Sequence, residues 1–116
     1  GAADSPEVEV RIAAIRALGA LQHPAGEAAI SRAVADEQWI VRSAAAEAAG
    51  ASGFERLGEA LDHLLGDPEW WVRFRAGEAL LKLGREGVER LRAAAASERP
   101  LAQRAAELAL AERSAA

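Results

Sequence analysis

The 116-residue sequence contains no cysteine, methionine or tyrosine, and only two phenylalanines. Without cysteine the chain can form no disulfide, no thiol-dependent centre and no cysteine-based zinc site. The scarcity of strand-forming aromatic residues removes the main competitor of helix. Alanine, leucine, arginine and glutamate make up most of the chain, and these side chains lose little rotamer freedom in a helix. The composition therefore predicts an all-α fold.

The sequence also has no long apolar run and no excess of basic residues. No stretch approaches the roughly 20 apolar residues that cross a bilayer, and no signal peptide is evident at the N-terminus. We therefore expect a soluble, cytoplasmic protein without a membrane partner. The formal net charge of −4 argues against nucleic-acid binding, because that binding gains its affinity from neutralising phosphates with basic side chains.

A helical segment recurs three times along the chain. Val10-Arg11, Val41-Arg42 and Val72-Arg73 are successively 31 residues apart. After each valine, apolar residues at i+4, i+7, i+8 and i+11 form one face of an amphipathic helix, here called the A helix. In the first copy the inward residues are predicted to be Val10, Ala14, Ala17, Leu18 and Leu21. In the second they are Val41, Ala45 and the residues that follow at the same spacing, and in the third they are Val72, Ala76, Ala79, Leu80 and Leu83.

A break containing glycine or proline follows each A helix, and a shorter B helix is predicted after it. The B helices are expected at about 25–35, 54–65 and 85–96. Ser5, Asp36 and Asp67 each stand five residues before the valine of their copy. We predict that they are N-cap residues, whose side-chain oxygen accepts from an N–H in the first helical turn.

A fourth, partial copy can be aligned in two ways. Matching Arg104 with Arg73 would bury Gln103 and Glu107 without partners, which costs several kcal/mol. Matching Leu101 with Val72 avoids this cost. The second alignment predicts that four residues face inward, namely Leu101, Ala105, Leu108 and Ala109.

One pair of helices cannot cover both of its apolar faces, so the copies must stack on one another. We expect a single domain over 1–116, folded as an α-α superhelix (a right-handed α-solenoid) of about seven helices. The A helices are expected on the convex side, and the B helices are expected to line the concave side.

The string Asp67-Pro68-Glu69-Trp70-Trp71-Val72-Arg73, followed by Ala76 and Glu78-Ala79-Leu80, resembles the HEAT repeat. It is most similar to the short bacterial type named after phycobilisome lyase subunits. The resemblance implies repeats at about 4–35, 36–66 and 67–96 and a half repeat at 97–116. It also implies a structural ladder between neighbouring repeats, formed by Asp36 and Asp67 with Arg11, Arg42 and Arg73. The alternative interpretation of these arginines is an anion-binding stripe.

Trp71 and Phe74 lie off the predicted inward face and can share one helical turn. Arg75 is four residues after Trp71, at the spacing for a cation–π contact. Exposed aromatic residues with arginine are typical of binding hot spots. These residues could instead pack against an additional helix of a longer protein. Trp39 and Trp70 share one repeat position, and we interpret them as packing between repeats.

The concave B-helix face is the second candidate for partner binding, because solenoids commonly bind along this surface. An ordinary solvated helix face is the alternative interpretation. Its candidate residues are Glu55, Glu59, Asp62, His63 and Arg90.

No nucleophile elbow, phosphate-binding loop or pair of metal ligands is present in the sequence. We therefore expect no catalytic, cofactor or metal site. The leading hypothesis is a non-enzymatic scaffold or adaptor that binds a protein or peptide. Two alternatives are a subunit of a bilin lyase-like enzyme, implied only by the repeat type, and a nucleic-acid-binding protein. The apolar ends of the solenoid could also support a homodimer.

Overall fold

The computed structural model describes residues 1–115, which form seven α-helices and two short 3₁₀ turns and contain no strand. The predicted half repeat 97–116 ends on Ala116, which lies outside the described residues. The 3₁₀ turns are Ala2–Asp4 and Glu55–Leu57. The helices are α1 (Val8–Leu21), α2 (Pro24–Ala33), α3 (Trp39–Ser52), α4 (Gly58–Leu64), α5 (Trp70–Lys82), α6 (Arg85–Ala95) and α7 (Pro100–Ala115).

The helices form two layers, and the α-solenoid prediction is confirmed. The A helices α1, α3, α5 and α7 stack side by side. Each B helix (α2, α4 or α6) packs against the A helix before it and the A helix after it. One apolar core runs between the layers, and buried residues from every copy contribute to it. Fully buried core residues include Ile15, Ile30, Val41, Leu61, Leu80 and Leu91.

Neighbouring A helices approach each other through small residues. A Cβ atom added to Gly19 would lie 2.8 Å from the Cα and carbonyl oxygen of Ala48. At the next interface, a Cβ on Gly50 would lie 2.9 Å from the Cα of Ala79. At these distances only the α-hydrogen of glycine fits between the helices. Gly19 and Gly50 therefore determine how closely neighbouring A helices pack.

The predicted inward face is confirmed in the second and third copies but not in the first. Val41, Ala45 and Leu80 are completely buried or nearly so. In α1, however, Val10 and Ala17 are exposed, and Leu21 is 74% exposed. The difference arises because α1 has a single neighbouring A helix, α3, within residues 1–115, whereas α3 and α5 each lie between two A helices.

The alignment predicted for the last helix is wrong. The buried residues of α7 are Ala102, Ala106 and Ala109, whereas Leu101 and Leu108 are 42% and 45% exposed. Ala102 therefore corresponds to Val72. Alanines face the core because α7 lies close to α5: a Cβ on Gly77 would lie 3.1 Å from the Cβ of Ala109. Leucine side chains on this face would hold the two helices apart.

The N-cap prediction is also wrong in detail. Ser5, Asp36 and Asp67 lie two residues before the N-cap of their A helix. Each side chain accepts from the backbone N–H of that N-cap residue, at 3.2, 2.9 and 2.9 Å. They therefore stabilise the turn that leads into the helix, as Asx and Ser turns do. This position leaves the aspartates free to contact the neighbouring repeat.

Candidate functional site: an aromatic patch beside an open arginine rung

Two arginines of the A helices link neighbouring repeats through bidentate ion pairs. The Nε and Nη2 of Arg11 donate to Asp36 Oδ2 and Oδ1 at 3.0 and 3.2 Å. Its Nη1 donates to the carbonyl oxygens of Ser5 and Pro6, at 2.8 and 3.1 Å. One guanidinium therefore fixes its own repeat's turn and the next repeat's aspartate.

Arg42 repeats this arrangement one copy later. Its Nε and Nη2 donate to Asp67 at 2.7 and 3.2 Å, and its Nη1 donates to the carbonyls of Asp36 and Glu37 at 2.8 and 3.2 Å. The Asp67 side chain is only 6% exposed. Charge-assisted bidentate pairs of this kind are strong and geometrically specific. We call each such arginine–aspartate pair a rung.

The third arginine does not form a rung, which corrects the predicted ladder. The Nη1 of Arg73 donates to the carbonyls of Asp67 and Pro68 at 2.8 and 3.0 Å, as in the other copies. Within residues 1–115, however, no carboxylate oxygen lies within 4 Å of its guanidinium. Ser97 occupies the aspartate position, since its Oγ accepts from the N–H two residues ahead, that of Arg99. A serine hydroxyl provides no carboxylate for Arg73.

Three aromatic side chains cluster at the start of α5, and we call Trp70, Trp71 and Phe74 the aromatic patch. Trp70 stacks on Phe74 with ring centroids 5.1 Å apart and planes inclined by 7°. Trp71 meets both rings edge-on, at 4.9 and 6.0 Å. Trp70 and Trp71 are 48% and 49% exposed. The structure therefore places the predicted pair Trp71 and Phe74 together at the surface.

The sequence predicts that Trp70 packs between repeats. In the structure 48% of this residue is exposed, so the prediction is wrong in part. Residues four apart lie on the same side of a helix, so Trp70 stacks on Phe74 rather than entering the core. Its equivalent Trp39 is also exposed. Trp39 and Trp71 line a shallow cavity of about 200 Å³ between α3 and α5.

Arg75 holds the patch to the neighbouring helix. Its guanidinium carbon lies 5.4 Å from the ring centroids of both Trp71 and Phe74. Its Nη1 donates to Glu78 at 2.8 Å, and its Nε lies 3.4 Å from Glu47 on α3. The predicted cation–π contact is therefore present in the structure, and the same arginine also bridges α3 and α5.

A groove between α5 and α7 adjoins the aromatic patch. It encloses about 280 Å³. Apolar side chains make up most of the wall, and the polar groups at its edge are two arginines and one glutamate. We call this the α5–α7 groove, and its residues are Trp70, Arg73, Phe74, Leu101, Arg104, Ala105, Leu108, Ala109 and Glu112.

None of the candidates on the B-helix face lines the α5–α7 groove, although His63 lines another surface cavity together with Leu101. Glu55, Glu59 and His63 are exposed. Asp62 is engaged by Arg99, whose Nη1 and Nη2 donate to its carboxylate and carbonyl oxygens at 3.0 and 2.9 Å.

Arg90 is half-buried and lies 3.5 Å from Glu86.

Among residues 1–115 no group of three or more histidine, aspartate and glutamate side chains is arranged to hold a metal ion. Nor is any helix in this part of the chain both long and apolar enough to cross a membrane.

Sequence reasoning did not identify Trp70, Leu101, Leu108 or Ser97 as members of one region. The signal for Ser97 was present, since it stands 30 residues after Asp67, as Ser5 stands 31 before Asp36. For the two leucines no signal could be read, because leucine on a helix normally indicates the core.

The layered stack of helical hairpins joined by arginine–aspartate rungs defines an α-solenoid repeat protein. The family model for HEAT repeats matches residues 1–80, and the chain belongs to the HEAT repeat family. None of the curated proteins compared with the chain matches it significantly.

Proposed function

We propose that this chain is a non-enzymatic interaction module that binds a protein or peptide through the aromatic patch. The observation that carries the proposal is the cluster of Trp70, Trp71 and Phe74, held in mutual contact with about half of each indole in water. HEAT repeats generally serve as scaffolds for protein interaction. We assign this general role to the aromatic patch.

The physical advantage of the patch is that it is large, apolar and already ordered. Burying apolar surface contributes about 25 cal/mol per Å². Stacking on Phe74 and the contact with Arg75 restrict the rings before any partner binds, so little side-chain entropy is lost on association.

The exposed apolar surface also extends over neighbouring helices. Trp39 and Ile40 are exposed on α3, and Leu101 and Leu108 are exposed on α7. An apolar surface that is continuous over several elements is typical of an interaction site, whereas a single exposed residue is not.

The B-helix face is less suited to this role. Asp62 already bonds to Arg99, and Arg90 lies beside Glu86, so two of the five candidates have partners within the chain. The exposed remainder, Glu55, Glu59 and His63, contains no large apolar side chain. We therefore assign binding to the aromatic patch first.

Selection of displayed random peptides on the immobilised chain, followed by titration of selected peptides in solution, tests the proposal. Trp71→Ala is expected to weaken binding about 30-fold, the loss typical of an aromatic hot spot. The matched control is Leu21→Ala, which removes an exposed apolar side chain at the far end of the stack. Binding that survives Trp71→Ala but is lost in Glu59→Arg would assign the site to the B-helix face and reject the patch.

A further inference from the structure

We call Arg73 an open rung because it lacks the aspartate partner that Arg11 and Arg42 have in their complete, or filled, rungs. Its hydrogen bonds to the preceding turn are otherwise the same as theirs. In all three copies Nη1 donates to two carbonyls of the turn that precedes the helix. In Arg11 and Arg42 the Nε and Nη2 then donate to aspartate. In Arg73 these two donors have no partner within residues 1–115.

The two free donors of Arg73 are accessible to water. Among the described residues, Arg90 Nε is the one side-chain nitrogen or oxygen that is both buried and unpaired. The Nε and Nη2 of Arg73 are therefore not sealed in the interior, although the residue as a whole is half-buried. A guanidinium that is partly desolvated and has two parallel free N–H groups is suited to bind a carboxylate.

Arg73 also lies next to an apolar surface. Arg73 contributes to the wall of the α5–α7 groove together with Trp70, Phe74, Leu101 and Leu108. A second wall residue, Arg104, likewise has no carboxylate within 4 Å in the described part of the chain, whereas Glu112 is the one acidic residue of the wall. The groove is therefore apolar with a net positive edge.

We propose that the α5–α7 groove binds an acidic peptide segment of a partner. An aspartate or glutamate side chain of the peptide accepts from Nε and Nη2 of Arg73, and a neighbouring large apolar side chain lies between Trp70 and Leu101. This inference rests on the proposed function and specifies the chemistry of the partner. The ligand is assigned as a side-chain carboxylate because an aspartate side chain fills the equivalent place in both complete rungs.

Ser97→Asp offers a direct test, because it places a carboxylate of the chain itself where the peptide's carboxylate would bind. The filled rung is expected to raise the midpoint of thermal unfolding, since Arg73 gains the partner that Arg42 has in Asp67. The same variant is expected to exclude acidic peptides. Ser97→Asn is the matched control, because asparagine keeps the size and the turn hydrogen bond without the charge.

The probe is a set of peptides selected by display on the wild-type chain and resynthesised with acetylated and amidated ends. The expected selection is enriched in aspartate or glutamate next to a large apolar residue. Changing the acidic residue to its amide, introducing Ser97→Asp, or introducing Arg73→Lys should each weaken binding about tenfold or more, whereas Ser97→Asn should leave it unchanged.

The other possible outcomes would contradict the proposal, and each would point to a different explanation. No selected binder, or binders without a carboxylate, would reject it. Peptides that need Trp71 but are indifferent to Ser97→Asp would reject the acidic segment while leaving the proposed function standing. Tighter binding of a peptide whose one carboxylate is a free C-terminus would assign the groove to chain ends instead. Concentration-dependent dimers in light scattering that disappear in Ser97→Asp would assign it to a second copy.

Discussion

Arg42 and Asp67 are 25 residues apart in the sequence, yet Nε and Nη2 of the arginine donate to both carboxylate oxygens of the aspartate, at 2.7 and 3.2 Å. Asp67 also accepts from the N–H of Glu69, and its carbonyl accepts from Arg73. This one turn therefore receives hydrogen bonds from the repeat before it and from its own A helix. The turn therefore joins neighbouring repeats through polar contacts, whereas the core joins them through apolar contacts.

Removing the guanidinium of Arg42 should therefore destabilise the stack. Arg42→Gln is expected to lower the free energy of unfolding by about 2–3 kcal/mol, because the nearly buried carboxylate of Asp67 loses its charged partner. Urea denaturation followed by circular dichroism measures the change. Arg16→Gln, at an exposed position of α1, should stay within about 0.5 kcal/mol of the wild type. Equal stability of the two variants would show that the rung is not a structural element.

The spacing of the A layer can be tested at Gly19. Gly19→Ala adds a Cβ 2.8 Å from the backbone of Ala48, and overpacking against backbone costs about 1–3 kcal/mol. This cost should outweigh the gain of about 1 kcal/mol in helix propensity. Thermal unfolding should show a lower midpoint.

Gly77→Ala is the matched control for this test. Its added Cβ would lie 3.1 Å from the Cβ of Ala109 and 3.7 Å from the carbonyl oxygen of Ala105, so its contact with backbone is an ordinary one. Its stability should remain within about 1 kcal/mol of the wild type, since the propensity gain offsets a small repulsion. A Gly19→Ala variant as stable as Gly77→Ala would contradict the close approach of α1 and α3.

Two leucines test the alignment of the last helix. Leu80 is fully buried, and Leu80→Ala is expected to cost about 3 kcal/mol through lost contacts and the cavity left behind. Leu108→Ala should cost less than about 1 kcal/mol, because this side chain is nearly half exposed in the α5–α7 groove. Chemical denaturation of both variants gives the comparison. A large loss at Leu108 would restore the alignment in which it faces the core.

The residue that follows α1 offers a stabilising substitution. Gln22, Gly53 and Gly84 occupy the same repeat position, and all three have positive φ, of 54°, 72° and 75°. Glutamine is strained in this region, so Gln22→Gly should raise the free energy of unfolding by up to about 1 kcal/mol.

The reciprocal change Gly53→Gln should lower the free energy of unfolding by about 1 kcal/mol, although a Cβ there would meet no atom within 4 Å. Differential scanning calorimetry compares the two variants. Stabilisation by Gly53→Gln would contradict the assigned backbone conformation.

Periodicity by itself determined the number of helices, their order and the inward residues of the central copies, such as Val41 and Leu80. These depend on interactions that repeat every 31 residues, because each interior copy has equivalent neighbours on both sides. The pairing of arginine with aspartate across copies followed from the family resemblance for the same reason. Trp71, Phe74 and Arg75 could also be grouped, since their contacts lie within about one helical turn.

Only the tertiary structure decided what happens where the repetition changes. Leu101 and Leu108 face outward because close packing of α7 on α5 admits alanine and excludes leucine, a steric condition that no pattern of polarity expresses. Trp70 stacks on Phe74 and is 48% exposed, although its repeat position indicated packing between repeats. Arg73 lacks a rung because Ser97 stands where a carboxylate would be needed, and Arg73 lines a groove only because α5 and α7 meet there.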